Sequence, residues 1–512
     1  MKRIAILLTA LALPLLLAAQ TVTVKVNTSP LEKQIIPKEI YGQFSEHLGT
    51  CIYGGLWVGP DSDIPNINGY RADVFNALKE LKVPVMRWPG GCFADDYHWR
   101  DGIGPQKDRP RIVNNNWGGT LEDNSFGTHE FLNLCEMLDC EPYISGNVGS
   151  GTVEEMAKWV EYMTADNGHM AELRERNGRK EPWKVKYFGI GNEAWGCGGN
   201  MTPEYYSNVY RTFSTYLRNY SGNRLYKIAS GASDYDYDWT ETVMKAVGNR
   251  MNGISLHYYT CKGWTGSKGS ATVFTDDEYY ETIGKCLEIE PVIKRHAAIM
   301  DSIDPQKRIG LLVDEWGTWF DEEPGTVRGH LFQQNTLRDA IVAGLSLNVF
   351  HRYTDRVKMA NIAQVANVLQ SMVLTRGNEM VLTPTYYVFK MYNVHQDAEF
   401  LPTECDAETF MAPQRRPVPT VSATASRDAK GSIHVSLVNP DLKQDRKVVV
   451  ELGALKGKKV SAEIVTASDV HSYNDFGKKE AVSLKAFKDF KVKDGNIEVK
   501  LPAKSVVTIA ID

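Results

Sequence analysis

The chain has 512 residues, a formal net charge of −5, 10% aromatic residues and 11 tryptophans. So mild a charge argues against nucleic acid or an anionic membrane as partner, and the length calls for one large domain with a smaller one attached. The tryptophan count leans toward carbohydrate, although buried tryptophans give the same number.

Lys2 and Arg3 precede an apolar stretch, Ile4 to Ala19, broken only by Thr9 and Pro14 and closed by the small residues Ala18 and Ala19. Residues 1–19 read as a secretory signal peptide, too short for a membrane span, with Leu17 at the −3 position if cleavage follows Ala19. The expectation is a soluble, exported protein, periplasmic or extracellular. Eight cysteines (Cys51, Cys92, Cys135, Cys140, Cys197, Cys261, Cys286 and Cys405) permit disulfides in such a compartment. None shows metal-type C-x-x-C spacing, so neither a metal nor a cofactor is expected.

Thr21 to Thr28 sets Val22, Val24 and Val26 on one face of a half-buried strand, so residues 20–37 are expected to pack with the C-terminal domain. Ile40–Gly49 is the first barrel-strand candidate and ends in Glu46 and His47. The pattern Val74, Leu78, Leu81 predicts a helix, and Pro84–Arg87 a strand running into Pro89-Gly90-Gly91-Cys92. Helix 128–138, strand 142–146 and helix 152–165 follow, then a strand that ends at Gly191-Asn192-Glu193. Thr202-Pro203 opens a helix as N-cap and first residue. Strands at 225–230 and 253–259, a largely helical stretch 276–301, a strand at 309–313, a helix at 337–347 and a strand at 359–364 complete the alternation.

About eight strand–helix repeats over residues 38–385 predict an α/β fold, a (β/α)8 TIM barrel. A doubly wound open sheet is the alternative, weakened by the lack of a Gly-rich phosphate loop after the first strand. Residues 386–512 change texture: Ile433, Val435 and Leu437 alternate, as do Ile497, Val499 and Leu501, with turns at Asn439-Pro440 and Asp494-Gly495. That predicts an antiparallel β-sandwich.

Two strands share one design. The first ends in Asn192, Glu193 and Trp195, the second in Asp314, Glu315 and Trp316, with Trp319 soon after. At roughly 30–40 residues per β/α unit they stand about three units apart, as strands four and seven do. Two carboxyls facing each other across a barrel mouth are the machinery of glycosidic bond cleavage. Read in isolation, each glutamate is a solvated loop carboxylate. Glu46 has an ion pair with an arginine such as Arg87 as its alternative, His47 and His257 read as scaffold histidines, and Asp314, pointing away from Glu315 by strand alternation, reads as structural. Of Tyr258 and Tyr259, one faces the core and one the pocket.

The ordered motifs Tyr41-Gly42-Gln43-Phe44-Ser45-Glu46-His47-Leu48-Gly49, Arg87-Trp88-Pro89-Gly90-Gly91, Asp101-Gly102-Ile103-Gly104-Pro105, Gly191-Asn192-Glu193 and Asp314-Glu315-Trp316 resemble those of the glycoside hydrolase family 51 α-L-arabinofuranosidases. The resemblance implies a retaining (β/α)8 barrel with a C-terminal jelly-roll-like domain. It implies Glu193 as acid/base, Glu315 as nucleophile, and Glu46, Asn192, Tyr259 and Gln364 as hydrogen-bonding partners of an arabinofuranose, with Trp319 as an aromatic wall. Cys92 stands where many members carry Asn; it is counted among the substrate-binding positions, although a thiol is a weaker partner than an amide. The resemblance further implies exo-acting hydrolysis of terminal arabinose from plant cell-wall polysaccharides or oligosaccharides by a homo-oligomer. A β-xylosidase or endo-β-glucanase with the same two glutamates is the alternative within the class, and a non-catalytic glycan-binding barrel the alternative outside it.

Overall fold

Eight parallel strands close into a barrel in the computed structural model of the protein, which describes residues 21–453 and 459–512. The expected signal peptide, residues 1–19, lies outside the described residues. The strands are β1 (Gly42–Phe44), β2 (Val85–Trp88), β3 (Glu141–Gly146), β4 (Tyr187–Ile190), β5 (Tyr226–Ser233), β6 (Gly253–Thr260), β7 (Gly310–Thr318) and β8 (Val357–Ala363). β8 pairs back onto β1 through Asn361 and Gly42, so no edge is left open. Every residue of β1, β2, β4, β6 and β7 is buried. Strands covered on both faces read as continuous apolar runs rather than alternating ones. The barrel interior is filled by Val85, Tyr143, Tyr187, Ile228, Leu312 and Met359.

The surrounding helices are α1 (Ala72–Glu80), α2 (Thr128–Leu138), α3 (Val153–Thr164), α4 (His169–Arg176), α5 (Pro203–Tyr216), α6 (Tyr237–Val247), α7 (Asp276–Leu287), α8 (Ile289–Ile303), α9 (Leu337–Arg352) and α10 (Pro384–Tyr392). Their starts are set by local chemistry. Thr152, Thr202, Asp236, Thr275, Thr336 and Thr383 each accept a hydrogen bond from a first-turn N–H, a contribution of about 1 kcal/mol per cap. The stretch expected to be largely helical from Asp276 to Asp301 is two helices meeting at Glu288. Pro291 explains the break: it has no N–H to carry the ladder back to Leu287 and fits only a first turn.

The C-terminal domain is two packed sheets. One runs in the order Thr403–Cys405, Val22–Val26, Arg446–Glu451, Asn496–Leu501, Phe490–Lys493. The other contains Ser422–Arg427, Ile433–Asn439, Ser505–Ile511 and Val460–Thr466 as its central strands. Val22 and Val24 share the core between the sheets with Val435, Leu437, Val448, Ile497 and Ile509. α9 lies between barrel and sandwich, and every residue from Leu337 to His351 is buried. Asn348 Nδ2 donates to Ser422 Oγ, and a Cβ at Gly344 would meet Val438 Cγ2 at 3.0 Å.

Candidate active site

The carboxylates gather where the strands end. After β1, Glu46 is almost wholly buried. Its Oε1 accepts from the N–H groups of Gly91 (2.9 Å) and Phe93 (3.2 Å) and from Trp117 Nε1 (3.1 Å), and its Oε2 from Gln364 Nε2 (2.9 Å). After β2, the chain passes so close to the site that a Cβ at Gly91 would lie 2.7 Å from Glu315 Oε1. Glycine there leaves room for the carboxylate. After β4, Gly191 takes a φ of 88° and its missing Cβ would strike Val148; Glu193 itself sits at φ 40°. A left-handed non-glycine residue is a strained conformation of the kind that gathers at functional sites.

Oxygens of Glu193 and Glu315 and a ring nitrogen of His257 all lie within 4.8 Å of one another. Arg87 organises the floor beneath them. Its Nη1 donates to Glu315 Oε1 (2.9 Å), its Nη2 to Asn192 Oδ1 (2.5 Å), and its Nε lies 3.7 Å from Asp314 Oδ2. Tyr259 donates to Glu315 Oε2 (2.7 Å), whereas Tyr258 points the other way and donates to the Lys285 carbonyl on α7. His257 spans the site: Nδ1 is 2.7 Å from Glu193 Oε1 and Nε2 is 3.1 Å from Asp314 Oδ1.

These contacts divide the acids electrostatically. Burial holds the Glu193 carboxyl above its ordinary range; the His257 hydrogen bond pulls against that shift, and repulsion from Glu315 adds to it. Burial raises Glu46 to about 7, with Glu315 pushing the same way. Burial disfavours the His257 imidazolium, but the surrounding Glu315, Asp314 and Glu193 outweigh it and push the group up to about 10. Asp314, despite burial, is held below the usual range by Arg87 and His257 and by the Tyr143 hydroxyl.

The pocket above has a volume of about 500 Å³. Of the residues expected from sequence, Glu46, Cys92, Glu193, Tyr259, Glu315, Trp319 and Gln364 line it. Asn192 is buried beside them, its Nδ2 facing Gly91. Trp319 packs edge-on against Tyr259 and Trp264 with centroids 5.0 and 5.4 Å apart. Cys92 is bonded to Cys197, so it offers no S–H; the two sulfurs lie 3.8 and 3.5 Å from Glu193 Oε2 and tie the β2 and β4 loops together.

Glu46 does not pair with Arg87. Asp314 is no bystander: the pairing of β7 with β8 slips between Val313 and Trp316, a bulge that lets Asp314 and Glu315 both reach the interior. A second slip, between Ser255 and His257, turns His257 into the site. Asp95 was also illegible; its carboxylate accepts from the N–H groups of Val148, Gly149 and Asn192 and so joins three loop ends. Glu193, His257 and Glu315 are close enough to share an ion, but Arg87 and Tyr259 occupy Glu315 and His257 Nδ1 is committed to Glu193, which is the chemistry of an acid pair rather than a metal cage.

Comparison with known proteins bears on this arrangement. Residues 77–281 match the sequence model of the alpha-L-arabinofuranosidase 1 domain, and residues 314–505 that of the alpha-L-arabinofuranosidase C-terminal domain. An intracellular exo-alpha-L-arabinofuranosidase of Bacteroides ovatus is 67% identical over 94% of this chain and 93% of its own. The crystal structure of the GH51 arabinofuranosidase from Xanthomonas axonopodis pv. citri superposes with a TM-score of 0.93 at 45% identity, covering 96% of this chain and 100% of that one. An arabinose complex of the Thermotoga maritima alpha-L-arabinofuranosidase gives 0.83 at 30% identity, covering 96% and 99%. The Bacteroides relative is named intracellular, which overturns the expectation that this chain is exported and secreted. A basic start and an apolar run are not sufficient for export, and cleavage after Ala19 would put the bulky Leu17 where a small side chain is usual.

Proposed function

The chain belongs to the glycoside hydrolase family 51 α-L-arabinofuranosidases, and from that premise we propose that it releases terminal non-reducing α-L-arabinofuranosyl residues from arabinan- and arabinoxylan-type glycans by double displacement. The observation that carries this reading is that an oxygen of Glu193 and an oxygen of Glu315 lie within 4.8 Å of each other, with His257 Nδ1 2.7 and 3.5 Å from the two carboxylates. Retaining glycosidases hold their two carboxyls about 5–5.5 Å apart, whereas inversion needs about 6.5–9.5 Å for an intervening water.

Glu315, with its oxygens fixed by Arg87 and Tyr259, attacks the anomeric carbon. Glu193, its carboxyl held above the ordinary range by burial, donates to the departing glycosidic oxygen; it then takes a proton from the water that releases the glycosyl-enzyme. Two amide atoms support the sugar's place. Asn192 Nδ2 and Gln364 Oε1 are buried without hydrogen-bond partners, a costly state that a furanose hydroxyl at each would relieve. A hydroxyl beside the reacting carbon, gripped by Asn192, is bound more tightly as oxocarbenium character develops. A pocket walled by Trp117, Trp264, Leu331 and Leu369 suits a chain end rather than a chain interior.

The test is product analysis by NMR on an aryl α-L-arabinofuranoside, an aryl β-xyloside and cello-oligosaccharides. The expected result is arabinose released first as the α anomer, with little turnover of the other two. A β anomer, or internal cleavage of the oligosaccharides, would overturn the reading.

A further inference from the structure

Arg338, at the start of α9, is 1% exposed, and no carboxylate pairs with it among the described residues. Its guanidinium lies between the rings of Phe274 and Phe320, 3.8 and 3.7 Å from their centroids. Nη2 donates to the carbonyls of Ser270 (3.0 Å) and Ala271 (3.1 Å), while Nε has no partner. The nearby acids are engaged elsewhere. Asp339 accepts from Thr318 Oγ1 and from Thr336, and Glu278 caps α7 through the Thr275 N–H and hydroxyl.

A buried charge needs a counter-charge or it is costly. Arg338 borders a narrow cleft that Lys262, Lys268, Lys285 and Arg416 also line, with Glu278 and Glu281 the carboxylates among them. Lys285 and Arg416 share the single carboxylate of Glu288, and Lys262 lies 3.7 Å from Glu281. Arg338 and Lys268 remain, the latter with its ammonium 5.8 Å from the centre of the Trp319 ring. The space open to the centre of a water-sized guest is about 30 Å³, enough for one small ion or a water or two. Burial lowers the Arg338 guanidinium to about 10, and Asp339, Glu278 and Tyr279 offset that only in part, the direction expected of a cation short of a direct partner.

We propose that this cleft is a binding site for one small monovalent inorganic anion, chloride being the case to test, held between the Arg338 guanidinium and the Lys268 ammonium. The bound anion ties together three segments: the loop after β6 that carries Trp264, the end of β7 at Phe320, and the first turn of α9. Two of these hold the aromatic wall of the catalytic pocket, so the anion stabilises that wall without touching substrate.

The test is the thermal midpoint of the full chain as sodium chloride replaces sodium gluconate at constant ionic strength. The midpoint is expected to rise saturably by about 2 °C or more, and Arg338→Gln and Lys268→Met are each expected to flatten the response. Lys268 is only half-buried, so the second variant reports even if the first does not fold. A crystal soaked in sodium bromide is expected to show an anomalous peak between the two side chains. Equal midpoints in chloride and gluconate, a response undiminished in Lys268→Met, or bromide bound only elsewhere would each overturn the proposal.

Discussion

His257 bridges Glu193 and Asp314, with its two ring nitrogens 2.7 and 3.1 Å from their carboxylates. Both nitrogens face acceptors, so the ring is a doubly protonated cation at neutral pH. It positions Glu193 and lowers its proton affinity at the same time. In His257→Gln the cation is lost while burial and repulsion by Glu315 remain, so the Glu193 pKa rises. The alkaline limb of the kcat/KM profile is therefore expected to move to higher pH, and kcat to fall roughly tenfold or more as the acid loses its orientation. An unmoved or acid-shifted limb would refute the electrostatic part of this role.

Glu193→Ala separates protonation from attack. Hydrolysis of an arabino-oligosaccharide is expected to fall by about 10²–10⁴-fold, while an aryl arabinofuranoside with an acidic phenol as leaving group loses far less in the first step. Added azide restores turnover by replacing water as the second nucleophile. Parallel losses on both substrates would deny Glu193 the acid role.

Gly91→Ala tests the close approach of backbone to Glu315, the proposed nucleophile. The new methyl falls 2.7 Å from Glu315 Oε1, and a displacement of about 1 Å in a reacting group costs on the order of 10² in rate. Circular dichroism and the thermal midpoint are expected to change little, with the loss concentrated in kcat. Wild-type kcat would show that the loop gives way instead.

Arg87→Met leaves Asp314 and Glu315 without their shared cation and Asn192 without its anchor. Breaking such a buried pair is expected to cost about 3–5 kcal/mol of stability, read by urea denaturation, together with near-complete loss of activity. Arg87→Lys is not expected to rescue either, since one ammonium cannot span Glu315 and Asn192 as the planar fork does.

Stability is expected to fall between pH 6 and pH 9. His257, raised to about 10, contributes stability that is fully present below its ordinary value near 6.5 and lost as the pH climbs through 10. Glu46 and Asp95, both raised to about 7 by burial, act in the same direction over a lower window: their contribution is lost as the pH rises from about 4 to about 7, because their charged forms are the costly ones. Asp314, held low, withdraws its contribution only in strong acid. Calorimetry should place the highest midpoint near pH 4, where the raised carboxyls are still protonated and Asp314 is still charged; a midpoint rising from pH 6 to pH 9 would contradict these assignments.

The barrel was legible because its strands are short apolar runs ending in polar residues, with capped amphipathic helices between them. Glu193 and Glu315 stood out for the same reason, each at a strand terminus with tryptophan close by. His257 and Asp314 were misread because side-chain parity along β6 and β7 is reset by register slips, and a bulge leaves no mark on a hydrophobic alternation. Asp95 sits in a loop whose meaning lies in three backbone amides distant in sequence. Gln364 has no local pattern at all; only the family motif pointed to it. The Cys92–Cys197 bond could not be chosen among eight cysteines without knowing that the β2 and β4 loops meet.

The burial of α9 along both flanks bears on how this molecule can be dissected. Excising the sandwich at its outset would lay bare Gly344, Asn348 and His351 along with the greasy ridge they interrupt, and would strand Val22–Val26 with no sheet to join. The jelly-roll-like half is thus no detachable appendage to be swapped or trimmed by a protein engineer: it is a lid welded to the catalytic half, and the two must be purified, stored and evolved as one object.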